Sequence, residues 1–188
     1  MDYFDSFPVL KTARLTLREL RIEDAEAVFN MRSNGRVNQF IGRESMKEVL
    51  SATELIEKTR KAYVEKAAIA WAGILRENKE IIGTCGLNNI DFVNNRAEIG
   101  GEMATEFWGK NIALEAVTAI VDFGMKQLQL NRIEAKIDAE NRGAIALAVH
   151  LGFKKEAHLR DYFFHRESYR DLTVYSLLAK DYSHSNGS

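Results

Sequence analysis

Glu106-Phe107-Trp108-Gly109-Lys110-Asn111-Ile112-Ala113-Leu114-Glu115-Ala116 is a short loop that leads directly into an amphipathic helix. The helix is predicted to begin close to Gly109, because apolar residues then recur every three to four positions on one face. Its first backbone amides have no partner within the helix, and the positive end of the helix dipole points the same way. The sequence therefore predicts an anion site, suited to a phosphate, at the start of this helix. The residues of the buried face are Ala113, Ala116, Val117, Ile120, Val121 and Gly124.

The segments around this helix predict a mixed α/β (α+β) sheet, mostly antiparallel, with one parallel crossover at the main helix. A capping-box spacing at Ser45-Met46-Lys47-Glu48 precedes the second helix, and Asn141 is placed to cap the fourth. About seven strands and about four helices are expected. The strands are predicted at 14–20, 68–75, 80–90, 97–103, 132–138, 154–165 and 168–179, and the helices at 22–31, after 48, at 109–128 and at 141–151.

Length and composition predict one domain over residues 1–188, with a polar tail from about residue 183. The net charge of −1 and the absence of a basic stripe argue against a nucleic-acid partner. No basic leader and no apolar run of about 20 residues is present, so no membrane association is expected. Cys85 is the only cysteine, which excludes an internal disulfide and fits the cytoplasm.

Motifs for several other chemistries are missing. The chain has no Gly-x-x-x-x-Gly-Lys-Ser/Thr, Gly-x-Gly-x-x-Gly or Gly-x-Ser-x-Gly segment. The four histidines do not fall into a metal-ligand spacing with carboxylates, so no metal is expected. The mixed segment Arg160-Asp161-Tyr162-Phe163-Phe164-His165 is interpreted as a hairpin edge or the face of a homodimer.

Five segments in order resemble the Gcn5-related N-acetyltransferase (GNAT) superfamily, and within it the branch that acetylates the N-termini of ribosomal proteins. The resemblance runs from residue 12 to residue 179. Its segments are Thr12-Ala13-Arg14-Leu15-Thr16-Leu17-Arg18, Glu98-Ile99-Gly100, Trp108-Gly109-Lys110, Asn141 with Leu151-Gly152-Phe153, and Arg170-Asp171 before Val174-Tyr175-Ser176-Leu177-Leu178.

The resemblance implies the GNAT fold, in which a central pair of parallel strands splays apart and the thioester arm of acetyl-CoA lies in the gap. Backbone amides of the loop wrap the pyrophosphate, and backbone groups near the end of the central strand bind the thioester. Asn141 contacts the pantetheine arm or orients a catalytic water. Asn111 stands where the family usually has a glycine, and Asn tolerates positive φ better than most residues. The implied cofactor-binding residues are Met103, Ala104, Trp108, Gly109, Lys110, Asn111, Ile112, Ala113 and Asn141.

Glu98 is the candidate general base, since an amine must be neutral to attack the thioester. The alternative is that Glu98 is a solvated carboxylate or pairs with Arg96 or Arg132, and Glu102 is a weaker second candidate. The positions where the family carries a general acid are Ala144 and Ala148, with Tyr162 and Tyr169 as possible substitutes.

The expected function is transfer of an acetyl group from acetyl-CoA to a primary amine, by direct attack in a ternary complex. A peptide or protein N-terminal α-amine is the favoured acceptor. Polyamines, amino acids and antibiotics stay open as acceptors, as does a non-catalytic acyl-CoA-binding module.

Overall fold

The protein, described by a computed structural model over residues 4–185, contains one eight-stranded mixed sheet. The strand order is β1-β2-β3-β4-β5-β6-β8-β7, and β5 and β6 form its one parallel pair. The strands are β1 (Leu10–Lys11), β2 (Leu15–Glu19), β3 (Ile69–Leu75), β4 (Ile81–Asp91), β5 (Arg96–Met103), β6 (Arg132–Asp138), β7 (Lys154–His165) and β8 (Ser168–Leu178). The α-helices are α1 (Ala25–Ser33), α2 (Val49–Val64), α3 (Ile112–Asp122), α4 (Arg142–His150) and α5 (Ala179–Ser185).

The predicted fold class is confirmed, with two short elements added to it. The seven predicted strands correspond to β2–β8, and β1 extends the sheet through the pair Leu10 and Leu17. Helix α5 covers Ser185, so part of the predicted polar tail is helical, whereas residues 186–188 lie outside the described part of the chain. None of the described helices is long and apolar enough to span a membrane.

The predicted capping box before α2 is wrong. The helix begins after Glu48, whose side chain makes no capping hydrogen bond. Ser45 Oγ instead accepts a hydrogen bond from Asn38 Nδ2 at 3.0 Å, inside the α1–α2 loop. The side chain of Ser45 is thus committed to the loop and does not cap the helix.

The parallel pair β5–β6 separates halfway along its length. Registered pairing joins Arg96 to Arg132, Ala97 to Ile133 and Glu98 to Glu134, and it stops there. Both strands continue, β5 to Met103 and β6 to Asp138. A gap therefore opens between their carboxyl-terminal halves, as the resemblance implies.

Helices cover the two faces of the sheet unequally. Helices α3 and α4 pack on one face around a cluster that includes Ile120, Ile133 and Ala148. Helices α1 and α2 pack on the other face with Ala72 and Ile74 of β3. On this second face, β5 and β6 carry the polar residues Glu98, Glu102, Glu134, Lys136 and Asp138.

Two connections meet above the polar side of the gap: the α1–α2 loop (residues 34–48) and the β7–β8 hairpin tip (residues 161–169). His165 Nε2 donates to the Asn38 carbonyl at 3.0 Å, and Arg166 donates to the Gly35 carbonyl at 2.5 Å. Phe163 packs so close to Gly42 that a Cβ there would lie 2.7 Å from the ring.

Each of these connections is attached to a different strand of the splayed pair. Arg43 of the loop forms an ion pair with Glu102 of β5. Arg170, directly after the hairpin tip, contacts Asp138 of β6 through two hydrogen bonds of 3.0 Å. The contact between loop and hairpin therefore bridges the gap and bounds a cleft on the polar face.

We expect Ile133→Ala to lower the free energy of unfolding by about 2–5 kcal/mol, because the side chain is fully buried where β6 meets α3. Urea unfolding of the two proteins measures the difference. Val93→Ala, at a position that is 91% exposed, is the control and should change little. An equal effect of both substitutions would contradict the placement of the core.

Candidate active site

The loop before α3 has two residues in the left-handed backbone region. Gly109 has φ of +72° and Asn111 has φ of +57°. The helix begins at Ile112, three residues after the predicted start, and Asn111 flanks it without a side-chain bond to its first amides. The first turn therefore presents unpaired N–H groups at the positive end of the helix, as an anion site requires.

Arg14 links this loop to the first turn of α3. Glu115 accepts hydrogen bonds from Thr12 Oγ1 at 2.8 Å and from the Arg14 amide at 3.1 Å, and it forms an ion pair with Arg14 Nε. Arg14 Nη1 donates to the Lys110 carbonyl at 3.0 Å. Burial raises the pKa of Glu115, but the hydrogen bonds from Thr12 and Arg14 outweigh burial and lower it overall. Glu115 is thus charged at neutral pH, and it clamps Arg14 to the first turn of α3.

The end of β5 turns two amides toward the gap. The Ala104 amide donates to the Ile82 carbonyl at 2.8 Å, so it is bonded to β4. Because bonding alternates along an antiparallel pair, the amides of Gly101 and Met103 face the other way, into the gap. The Met103 amide is therefore not bonded to β4, whereas the Ala104 amide, predicted beside it as a cofactor-binding group, is.

Trp108 braces the loop against β5. Its Nε1 donates to the Met103 carbonyl at 2.8 Å, while the Arg36 guanidinium lies 5.6 Å from its ring centroid. A cation over an indole face is attracted by the ring quadrupole. Trp108 thus joins the loop, the end of β5 and the α1–α2 loop.

Asn141 lies after β6, on the opposite side of the gap. Its Oδ1 accepts a hydrogen bond from the Ala144 amide at 3.1 Å, so the predicted capping role is confirmed. No partner for its Nδ2 is found within residues 4–185, which leaves one amide donor for a ligand. A cavity of about 400 Å³ lies between the end of β6 and the start of β8, lined by Asp138, Ala139, Glu140 and residues 168–171.

Glu98 lies where the two strands begin to part. Its Oε1 accepts hydrogen bonds from Lys136 Nζ at 2.8 Å and from Asn89 Nδ2 at 3.1 Å. The alternative pairing with Arg96 or Arg132 is wrong, since those residues pair with Asp91, Glu134 and Glu156. The hydrogen bond to Glu98 raises the pKa of Lys136 above its ordinary value, so the lysine is charged at neutral pH.

Glu102 is enclosed by three donors, and its side chain is only 3% exposed. It accepts from Arg32 Nε at 2.5 Å and from Thr84 Oγ1 at 3.1 Å, and it forms an ion pair with Arg43. Both carboxylate oxygens of Glu102 are thus occupied by donors of the protein itself. The sequence does not predict the contacts of Lys136, Arg32 and Arg43, because no local pattern connects these residues to β5.

Cys85 lies in β4 opposite Gly101 of β5 and packs against the core. Burial raises the pKa of its thiol to about 12. The interpretation of Cys85 as a small core residue fits this environment, and its thiol would stay silent in an assay for released CoA thiol.

Residues 14–154 match the acetyltransferase (GNAT) domain family. This chain belongs to that family. The GNAT protein is therefore an N-acetyltransferase, and both the family and the fold expected from the sequence are confirmed.

Curated relatives and solved structures cover nearly the whole chain. It is 39% identical to the uncharacterized N-acetyltransferase p20 of Bacillus licheniformis, over 93% of this chain and 98% of that protein. It is 30% identical to the putative ribosomal N-acetyltransferase YdaF of Bacillus subtilis, over 89% of this chain and 93% of that protein. A spermidine N-acetyltransferase from Vibrio cholerae, solved with CoA and spermine, superposes with a TM-score of 0.82 and 26% identity, over 92% of this chain and 99% of that one.

We expect Arg14→Ala to raise the Kd for acetyl-CoA about tenfold, because Arg14 holds the loop through its hydrogen bond to the Lys110 carbonyl. A hydrogen bond to a charged group contributes about 1.5–3 kcal/mol. Isothermal titration calorimetry measures the change. Glu115→Gln should weaken binding in the same direction, whereas Lys61→Ala on the exposed side of α2 should not. Unchanged affinity in both clamp variants would show that the loop holds its shape without Arg14.

Proposed function

We propose that this GNAT protein transfers the acetyl group of acetyl-CoA directly to the α-amine of a peptide or protein N-terminus. The gap between β5 and β6 carries the proposal, because it has an anion-binding helix start at one end and the bridged polar cleft on one face. Two substrates entering from these directions would meet at Glu98. The name of the Bacillus subtilis relative supports an acceptor of this class.

The residues fit acetyl-CoA as the acetyl donor. The amides of residues 109–113 would bind the pyrophosphate at the start of α3. The pantetheine arm contains amide groups, and it would lie in the gap between the Met103 amide and Asn141 Nδ2. Trp108 and Arg14 do not need to touch the ligand, since each holds the loop in place through Met103 or Lys110.

Acetyl transfer requires the amine nitrogen to attack the thioester carbonyl. The C–N bond forms, the C–S bond breaks, and CoA leaves as a thiolate. The Met103 amide would stabilise the negative charge that develops on the carbonyl oxygen. With Ala144 and Ala148 at the positions of the usual general acid, the thiolate would take its proton from solvent, which suits a thiol pKa near 8.5.

The amine must also lose a proton, and Glu98 would accept it, directly or through water. Glu98 already accepts hydrogen bonds from Lys136 and Asn89, and these contacts restrain the position of its carboxylate. An α-amine with a pKa of about 7.7–8.0 is roughly one-tenth neutral at pH 7, whereas a lysine amine is almost wholly charged. An α-amine therefore needs only a weak base to become neutral, which favours an α-amine acceptor over a lysine side chain.

Thiol release from acetyl-CoA over a panel of acceptors tests the proposal. The panel spans N-terminal peptides, polyamines, free amino acids and aminoglycosides, each read against an acceptor-free control. We expect release with peptides, and we expect Glu98→Gln to lower kcat/KM about 100-fold or more. Glu57→Gln, an exposed substitution on α2, is the matched control and should leave the rate unchanged.

Release with polyamines alone would overturn the proposed acceptor. A Glu98→Gln rate equal to that of the parent across about pH 6 to 9, the range in which α-amines titrate, would remove Glu98 as the base.

A further inference from the structure

Arg32, Arg43 and Glu102 form a charge cluster that does not balance. Two guanidinium groups contact one enclosed carboxylate at the end of β5. Their side chains are 19% and 23% exposed, against 3% for Glu102. One positive charge is therefore left over in a partly buried place, where an unpaired cation is costly.

No other carboxylate compensates Arg43. Burial is the main cause that lowers its pKa, Arg32 lowers it further, and Glu102 is the one carboxylate that raises it. Asn38, which is 1% exposed, fixes the side chain by accepting a hydrogen bond from Arg43 Nε at 2.8 Å. The cluster is thus held rigidly with its positive charge uncompensated.

The guanidinium group of Arg32 has free hydrogen-bond donors. Its Nε is committed to Glu102, but its two Nη groups have no hydrogen-bond partner in the described part of the chain. Four residues further on, in the α1–α2 loop, Arg36 lies over Trp108, and no carboxylate in the described part of the chain pairs with it. These groups lie where the α1–α2 loop bounds the cleft on the polar face of β5.

We propose that Arg32 and Arg43 bind a carboxylate of the acceptor, on a peptide whose third residue is acidic. This inference rests on the proposed function and specifies its substrate class. An arginine with both Nη groups free offers the bidentate geometry that a carboxylate prefers.

The spacing along β5 selects the position of the acid. Glu98 and Glu102 are four residues apart on one strand, which places their Cα atoms about 13 Å apart. An extended peptide spans about 7 Å from its first to its third Cα, and an acidic side chain extends this reach toward the arginines. A free α-amino acid, with its amine and carboxylate on the same carbon, is too short to reach both sites.

Three peptides that differ only at residue three test the inference: Ser-Ala-Glu, Ser-Ala-Gln and Ser-Ala-Lys, each followed by the same neutral tail. We expect kcat/KM for the Glu peptide to exceed that for the Gln peptide at least tenfold, equivalent to 1.4 kcal/mol. The Lys peptide should be the poorest acceptor. Free glutamate, assayed beside them, should be acetylated far more slowly than any of the three.

Variants at Arg32 then assign the preference to the cluster. Arg32→Gln should bring the ratio of the Glu to the Gln peptide close to one, and Arg32→Lys should retain part of it. The matched control is Arg60→Gln on α2, which removes an exposed ion pair with Glu19 of β2 and should leave the ratio unchanged. Thermal unfolding of each variant confirms that it is folded.

Several results would overturn the inference. Equal rates with all three peptides would reject the anion site while the proposed function stands, and no turnover of any peptide would reject both. If Arg32→Gln weakened acetyl-CoA binding in calorimetry and left the peptide ratio intact, the anion would be a CoA phosphate. Efficient acetylation of free glutamate would show that the amine and the carboxylate need not be separated by a peptide. The arginines would then bind the carboxylate of a free amino acid.

Discussion

The loss of hydrogen bonding between β5 and β6 beyond Glu98 is the constraint on which the site depends. Neighbouring parallel strands normally bond along their whole length, and backbone groups left unpaired away from water are costly. Here the amides of Gly101 and Met103 face the gap, and Trp108 satisfies the Met103 carbonyl. The gap is therefore suited to a ligand that itself carries amide groups.

Contacts on both sides hold the gap open. The start of α3 is fixed by Arg14, which reaches from the segment before β2 to Glu115 and Lys110. On the polar face, the α1–α2 loop is tied to β5 and the β7–β8 hairpin tip is tied to β6, so their contact sets the width of the cleft. Distant parts of the chain thus meet at one pair of strands.

Local sequence patterns were sufficient for most of the fold. The strand predicted at residues 132–138 coincides with β6, and the sequence predicts Asn141 as the cap of α4 because capping depends only on neighbouring residues. The two residues of β1 are too few to show a period. The capping box at Ser45 failed because a tertiary contact with Asn38 uses the same hydroxyl.

The electrostatic partners could not be read from the sequence. Lys136 is 38 residues from Glu98, and it reaches that carboxylate only through the register of a parallel pair. Arg32 and Glu102 are 70 residues apart and meet because α1 packs near the end of β5. The sequence identifies a candidate base and a candidate anion-binding loop, while the groups that restrain Glu98 and enclose Glu102 depend on tertiary structure.

Amide hydrogen exchange with and without acetyl-CoA tests the central claim, that the thioester arm occupies the gap, most directly. The amides of Gly101 and Met103 should exchange quickly in the free protein and become protected when acetyl-CoA binds. The Ala104 amide, already bonded to the Ile82 carbonyl, should exchange slowly in both states. Binding of acetyl-CoA without any protection of Gly101 or Met103 would place the thioester elsewhere and contradict the role of the splayed pair.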